Sequence, residues 1–218
     1  MKIEPIHISK VIEQNFANLM HDFYEMQTEY LASLKILYDD LDGALVAMVL
    51  TNYLYKAKTK DNDLKDLSVK NFYKKDFEIP VSYFKIKDVS YMLNLPRETV
   101  RRKKEKLIND KIIILDKVNK IYKLNTDLIN KNIIDVQVYN LSKFLSRFSA
   151  HYSKNKIFLN ELSKEDIKKD VYKKFLAYLT RFLDFQIAYF SNLKNYIDIE
   201  SIFIVLLCSL NVLSKNKK

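Results

Sequence analysis

Apolar residues recur at helical spacing through the first forty positions. From Ile12 the apolar positions advance in steps of four and three, which is the pattern of a helix that packs one face against another helix. They are Phe16, Leu19, Phe23, Met26 and Tyr30. We therefore predict an N-terminal helical segment over residues 1–40. Such a seam either dimerises or packs within the monomer, and we expect dimerisation.

A second helix is predicted over Ala44–Tyr55, after the acidic residues Asp39, Asp40 and Asp42 interrupt the first pattern. We interpret it as the first helix of a central domain spanning residues 41–125. The polar, lysine-rich stretch 59–81 that follows it is read as a long connection with about one helical turn.

The stretch from Phe84 to Asn125 has the most informative pattern. Ile86–Leu93 predicts a short amphipathic helix, Asn94–Pro96 a turn, and Arg97 the start of another helix, because proline needs no hydrogen-bond partner there. The β-branched runs at 112–115 and 121–124 predict a two-stranded hairpin. Between the helix and the hairpin we expect Asn109 to adopt a left-handed backbone conformation.

Charge is concentrated in the same stretch. Residues 84–124 hold twelve Lys and Arg against five Asp and Glu, whereas residues 1–57 hold four against eight. A focused basic segment suggests a surface that faces a polyanion, since neutralising phosphates releases counterions. The alternative is a lysine-rich solvated surface.

Helical periodicity separates the two faces of the helix that starts at Arg97. Val100 and Leu107 fall on one face. Five charged residues point away from that face: Glu98, Arg101, Arg102, Glu105 and Lys106. Lys103 and Lys104 stand toward the core side, so either their stems run along it or the helix is rotated.

The order of helix, turn, helix and hairpin, together with the segment Arg97–Arg102 (RETVRR), resembles the helix-turn-helix of bacterial winged-helix transcriptional regulators. The helices predicted on both sides are similar to the layout of MarR-type regulators, which implies a homodimer. The resemblance covers about forty residues. It implies that the second helix lies in the major groove and that the hairpin is the wing.

We derive the candidate DNA contacts from this arrangement. Arginine can bind guanine with two hydrogen bonds and glutamate can accept from cytosine, so the proposed base-reading residues are Arg97, Glu98, Arg101 and Arg102. Thr99 would meet a phosphate at the helix N-terminus, or simply stabilise the helix. The remaining candidates are Lys106 and the wing lysines Lys117 and Lys120. The alternatives are a Glu98–Arg102 surface ion pair and solubilising charge on the hairpin.

Residues 126–218 are predicted to be helical and to serve in dimerisation or as a sensor. Helical spacing is evident over Ile134–Phe148 and Val171–Leu193. Ser163 with Asp166 resembles a capping box, and Asp198 could cap a last helix that reaches Leu213. The C-terminal aromatic residues are expected in the core. If the protein binds a small-molecule effector, the sequence does not identify it.

Composition argues against several function classes. With one glycine, no P-loop or dinucleotide fingerprint can form, and the three histidines lack the paired spacing of a zinc site. We predict no enzyme activity, no metal and no cofactor. Cys208 is the sole cysteine, which suits a reducing cytoplasm. The longest apolar stretch, Ile202–Leu213, is too short to span a membrane.

The sequence therefore predicts a mainly α fold with a small β-hairpin wing, in which a winged helix-turn-helix core is flanked by long helices. The predicted function is sequence-specific binding of double-stranded DNA by a homodimeric transcriptional regulator. The alternatives are a winged-helix module for protein–protein interaction and a plasmid or phage replication initiator.

Overall fold

A computed structural model describes residues 4–59, 67–154 and 161–215. Within these ranges the chain forms ten α-helices and three short strands. They are α1 (Pro5–Gln14), α2 (Phe16–Tyr38), α3 (Leu41–Thr59), α4 (Val69–Phe72), β1 (Glu78–Pro80), α5 (Ile86–Leu93), α6 (Arg97–Asn109), β2 (Ile113–Asp116), β3 (Ile121–Leu124), α7 (Lys131–Lys154), α8 (Lys164–Lys173), α9 (Phe175–Leu193) and α10 (Ile199–Lys215). The prediction of a mainly helical fold with a small sheet is confirmed.

Two compact units interleave along the chain. The first unit comprises residues 1–33, 131–171 and 203–218, and the second comprises residues 34–130 and 172–202. The segment 41–125, predicted as the central domain, lies wholly in the second unit. That unit also contains α9, which the sequence interpretation had grouped with a separate C-terminal region.

Helix α3 forms the core of the second unit. Its residues from Ala44 to Leu50 are all buried, which explains why the sequence there is apolar on every face. The helix packs against α5, α6 and α9 and against the sheet. At its C-terminal end, Tyr55 meets the rings of Phe72 and Phe77 at centroid distances of 5.6 and 5.0 Å. Three helices and the sheet, all of the same unit, therefore surround α3.

The sheet has three antiparallel strands in the order β1-β3-β2. Tyr122 at the centre of β3 pairs with Ile79 of β1 and Leu115 of β2. The hairpin β2–β3 was predicted from the sequence, but β1 was not, so our reading of residues 59–81 as connection with one helical turn was incomplete. The turn exists as α4, β1 follows it, and residues 60–66 lie outside the described ranges. Pro80 fits because it ends an edge strand, where no ladder donor is required.

The N-terminal seam is interrupted in the structure. Asn15 ends α1 and donates its side-chain Nδ2 to the Val11 carbonyl at 2.9 Å, so the predicted continuous helix is two helices. Leu19, Met26 and Tyr30 are buried, whereas Phe16 is 50% exposed. In the first unit Leu19 packs with Val11 and Tyr152. Much of the seam is therefore covered by this chain itself.

Opposite charges pair α2 with α7 in the first unit. The buried Asp22 contacts the Arg147 guanidinium at 2.6 Å and the Lys143 ammonium at 3.5 Å. Lys143 also binds Glu25. Partial burial alone would lower the pKa of Lys143, but its hydrogen bond to Glu25 and the two carboxylates raise it overall. Because Asp22 is buried, these cations are required for its charge to be tolerated there.

The C-terminal helices begin as predicted. The Asp166 backbone N–H donates to the Ser163 hydroxyl at 3.1 Å, and the Ser201 N–H donates to the Asp198 carboxylate at 2.8 Å. The long helix predicted from Val171 is divided at Lys174 into α8 and α9. Across the described helices, none has the length and apolar character needed to cross a bilayer.

Candidate nucleic-acid interface

A tight turn joins α5 to α6. Asn94 adopts a left-handed conformation with φ 49° and ψ 46°. The Leu95 N–H donates to the Ser90 carbonyl at 3.1 Å and the Asn94 N–H to the Tyr91 carbonyl at 3.3 Å, which are the two hydrogen bonds of a Schellman motif. Leu95 is buried and Pro96 precedes the first residue of α6. The turn predicted from the sequence is confirmed, with asparagine in the position that glycine usually takes.

Helix α6 buries one face and exposes the other, as its periodicity predicts. Val100 and Leu107 are 0% and 3% exposed. The residues predicted to point outward are all exposed: Glu98, Arg101, Arg102, Glu105 and Lys106. Arg97 is exposed as well, and Thr99 is half-buried in the first turn. The candidate base-reading side chains therefore share one accessible helix face.

Lys103 makes a specific contact with the start of α3. Its ammonium pairs with the Asp40 carboxylate, and its side chain is 18% exposed. The sequence left open whether the aliphatic stem of Lys103 runs along the core or the helix is rotated. The stem runs along the core, and its ammonium binds an acidic side chain. This ion pair attaches the middle of α6 to the core helix α3.

Arg101 is held by its own helix. Its Nε donates to Glu98 at 2.9 Å and its Nη1 donates to Glu105 at 2.8 Å. These bonds raise the pKa of Arg101 and lower that of Glu98, so both groups stay charged near neutrality. The suggested Glu98–Arg102 ion pair is not observed, because Glu98 binds Arg101 instead. Solvent screens exposed pairs of this kind, so they contribute little to stability, and a phosphate or a base can replace them.

Three cations of this surface form no salt bridge among the described residues. Arg102 makes neither an ion pair nor a hydrogen bond there, and the same holds for Arg97 and Lys106. No side chain caps the N-terminus of α6, so its first N–H groups also lack a side-chain acceptor. The face is therefore basic and carries unused hydrogen-bond donors.

The tip of the hairpin is organised by Asp116. Its carboxylate accepts from the N–H groups of Val118 at 3.0 Å and Asn119 at 2.9 Å, and from the Asn119 side chain at 2.9 Å. Hydrogen bonds from Asn119 are the main reason that the pKa of Asp116 is lowered. Lys117 and Lys120 are exposed at this tip, and Lys120 is left-handed with φ 53°. The tip is thus a defined loop with two outward lysines.

The left-handed residue before the hairpin was wrongly assigned. Lys111, with φ 57°, takes that conformation, whereas Asn109 is the last residue of α6. The Ile112 N–H donates to the Leu107 carbonyl at 3.0 Å and the Lys111 N–H to the Ile108 carbonyl at 3.1 Å, the same pair of Schellman bonds as at Asn94, and the Asn125 side chain also donates to the Lys111 carbonyl at 3.0 Å. Local propensity favoured asparagine, but α6 extends through Asn109, so the left-handed position after its last turn falls on Lys111.

An open groove of about 840 Å³ lies beside the turn between α5 and α6. It is lined by Lys87, Tyr91 and Arg97 and, from the end of α9, by Asn192 and Asn195. Tyr91 is 91% exposed. The sequence interpretation omitted Lys87 and Tyr91, although their four-residue spacing on a face away from Val89 and Leu93 could have indicated them. They add a cation and a phenol next to Arg97.

A separate cluster in the first unit has metal-ligand chemistry. Ligand atoms of His21, Asp22 and Glu25 lie within 4.8 Å of one another. Lys143 and Arg147 already neutralise these carboxylates, so the cluster is better described as an ion-pair network than as a metal centre. The expectation of no metal stays a prediction.

Comparison with known proteins adds no relative: no protein-family model, no curated protein and no solved structure matches this chain. The functional interpretation therefore rests on the geometry of the second unit.

Proposed function

We propose that this protein is a sequence-specific regulator of transcription that binds double-stranded DNA as a homodimer through a winged helix-turn-helix. In this proposal α5 and α6 are the helix-turn-helix, α6 lies in the major groove, and the hairpin β2–β3 is the wing. The order of α3, β1, α5, α6, β2 and β3 along the chain is compatible with that fold.

The observation that carries the proposal is the exposed face of α6. A tight turn and a buried Val100–Leu107 edge fix the helix, while Arg97, Arg102 and Lys106 project outward without salt bridges among the described residues. An α-helix fits the major groove, and arginine there can bind guanine with two hydrogen bonds. Binding to DNA would explain why these cations form no salt bridges within the protein.

We assign different roles to the cations of this surface. Arg102, close to the middle of α6 and without a salt bridge among the described residues, is the strongest candidate for reading a base. Arg101 would read a base only after releasing Glu98 and Glu105, which at the same time would be freed to accept from cytosine. Lys117 and Lys120 at the hairpin tip, together with Lys87 beside the turn, would bind phosphates.

The decisive experiment is selection of DNA ligands from a random pool by the purified full-length chain. An enriched palindromic motif is expected, because a twofold dimer places two α6 helices on half-sites about 34 Å apart. Directly repeated motifs would instead favour a replication initiator. No enrichment would contradict the proposal and leave a protein–protein module.

Variants then test the residue roles. Arg102→Ala should cost about 1–3 kcal/mol on the selected motif and relax the preference at one base position, whereas Lys120→Ala should weaken all sequences about equally. Arg181→Ala, an exposed arginine of α9, is the matched control and should leave DNA affinity unchanged. Equal, sequence-independent losses for Arg102→Ala and Lys120→Ala would show that α6 does not read bases.

A further inference from the structure

Helix α10 presents an apolar face to solvent. Its inner face includes Ile202 and Leu206, which are 1% and 3% exposed. Its outer face carries four large apolar side chains that are about half exposed: Ile204 (59%), Val205 (54%), Leu207 (46%) and Val212 (58%). Together these side chains form a contiguous apolar patch on one face of the helix, the kind of surface at which proteins interact.

The patch is free of charge on a strongly charged chain. The fourteen residues between Glu200 and Lys215 include no Lys, Arg, His, Asp or Glu. The whole chain has a net charge of +10, so the net electrostatic force between two copies is repulsive. A neutral apolar face is a region where this repulsion does not oppose contact.

The distribution of residues along α10 is self-complementary. Cys208 is exposed and stands midway between Ile204 and Val212. If two copies of α10 cross at Cys208 in antiparallel orientation, Ile204 of one copy lies opposite Val212 of the other. The exposed Glu200 then lies near Lys215 of the second copy, and Lys215 near its Glu200. A parallel pair would place like charges together at both ends.

We propose that α10 is the homodimer interface and that it pairs antiparallel with α10 of a second copy around a twofold axis at Cys208. This extends the proposed function by identifying the surface that joins its two protomers. Much of the α2 seam, which the sequence suggested for dimerisation, is buried within one chain, whereas no described residue covers the outer face of α10. An isologous interface needs one patch that complements itself, which the two ends of α10 provide.

A contact built on one face of a single helix is small compared with the interfaces of permanent dimers, so we expect a dimer that dissociates on dilution. Sedimentation velocity of the full chain without DNA should show a monomer–dimer equilibrium at tens of micromolar. Ile204→Glu should weaken dimerisation at least tenfold, because it places a charge in the apolar contact. Ile36→Glu, at a residue of α2 that is 85% exposed, is the matched control and should leave the equilibrium unchanged.

Charge reversal tests the antiparallel orientation. Glu200→Lys should weaken the dimer severalfold, and the double variant Glu200→Lys/Lys215→Glu should restore it. Both substitutions oppose the dipole of α10 itself, so the restoration cannot come from a more stable helix. These positions are exposed, and circular dichroism of each variant verifies that the helices are intact.

Cys208 provides a direct probe of the axis. A bismaleimide that spans about 8 Å, close to the separation of packed helices, should link two native chains through Cys208 but fail with Ile204→Glu. A monomeric native chain, a dimer that survives Ile204→Glu, or no restoration by the double variant would overturn the proposal. So would a monomer whose Cys208 is protected from maleimide, since a segment of the same chain would then cover α10.

The outcome is independent of DNA binding. A dimer through α10 that selects no DNA motif would overturn the proposed function alone, and a monomer that still selects a motif would overturn the interface alone.

Discussion

At the scale of single residues, close contacts explain choices that composition leaves open. Gly43, the only glycine of the chain, lies inside α3, and a Cβ atom there would stand 2.7 Å from Oδ2 of Asp40. The absence of a side chain lets the Asp40 carboxylate fold over the helix start and pair with Lys103 of α6. Glycine is thus favoured at this position because a side chain would collide with Asp40, and not because the backbone adopts a left-handed conformation.

Replacing Gly43 by alanine should separate these effects. Alanine favours the helix by up to about 1 kcal/mol, but its methyl group displaces the Asp40 carboxylate from Lys103. We expect Gly43→Ala to raise the free energy of unfolding both in the native chain and in a Lys103→Met background. The increase should be smaller in the native chain, and the difference between the two increases should be about 0.5–1 kcal/mol. Urea denaturation of the four proteins measures this coupling, and identical effects in both backgrounds would refute the role of the ion pair.

At the scale of elements, short motifs set the direction of each helix and of the hairpin. The Schellman turn at Asn94 determines how α6 leaves α5, and the Asp116 loop determines how the hairpin tip presents its lysines. Both motifs place polar residues in left-handed or tightly bent backbone, where glycine is common. This chain has one glycine, so asparagine and aspartate serve at these turns.

Asn94→Ala should destabilise the turn. Alanine at φ 49° costs about 1 kcal/mol relative to asparagine or glycine, because its Cβ approaches the following carbonyl. For a chain of this length the melting temperature should fall by about 2–4 °C. Asn94→Gly is the control and should melt within a degree of the native protein. Equal melting temperatures for the alanine and native proteins would contradict the assigned conformation.

Asp116→Ala should loosen the hairpin tip and reduce DNA affinity severalfold for all sequences alike, since the tip is assigned to phosphates. The pKa of Asp116 is lowered in the folded state, so its stabilising effect is complete above its unfolded pKa near 4 and is lost as pH falls through the folded value. Affinity measured between pH 6 and 8 should therefore show no contribution from Asp116 titration. Asp127→Ala, an exposed acidic residue after the hairpin, should have no effect on affinity.

At the scale of the whole molecule, charge and apolar surface are divided between regions of the chain. Residues 84–124 carry most of the excess positive charge of the second unit, whereas the exposed apolar patch lies on α10 of the first unit. In our proposals the second unit contacts DNA and the first unit joins the protomers.

DNA binding by this molecule should depend strongly on salt. If Lys87, Lys117 and Lys120, the residues assigned to phosphates, each neutralise one phosphate, log Kd should rise with log salt with a slope of about 3 per protomer. Removing one lysine from this set should reduce the slope by about 1. Fluorescence anisotropy titrations between roughly 50 and 200 mM salt test this. A slope that is unchanged by Lys117→Ala or Lys120→Ala would remove the hairpin tip from the interface.

Much of the candidate site could be predicted from the sequence because its causes are local. The limits of α5, the start of α6, the buried edges of both helices and the hairpin β2–β3 follow from periodicity, proline and β-branched runs within forty residues. The caps at Ser163 and Asp198 are equally local.

Other features depend on residues far apart in the chain. Strand β1 has only three residues and is defined by pairing with β3 some forty positions later. Lys103 is held by Asp40, and Asn52 of α3 donates to Asp184 of α9 at 2.7 Å. No pattern within a window of fifteen residues contains such pairs, so the sequence interpretation missed β1 and placed α9 in another region.

The amino-acid sequence by itself determined which faces of the helices are apolar, where the turns lie and where positive charge accumulates, since each depends on neighbouring residues. Only the tertiary structure decided which apolar faces are covered and which cations are paired. It buries much of the α2 seam, leaves the outer face of α10 uncovered by the described residues, binds Arg101 to Glu98 and Glu105, and leaves Arg102 without a salt bridge there. Burial and ion pairing are properties of residues brought together by folding, and for that reason they cannot be derived from local order alone.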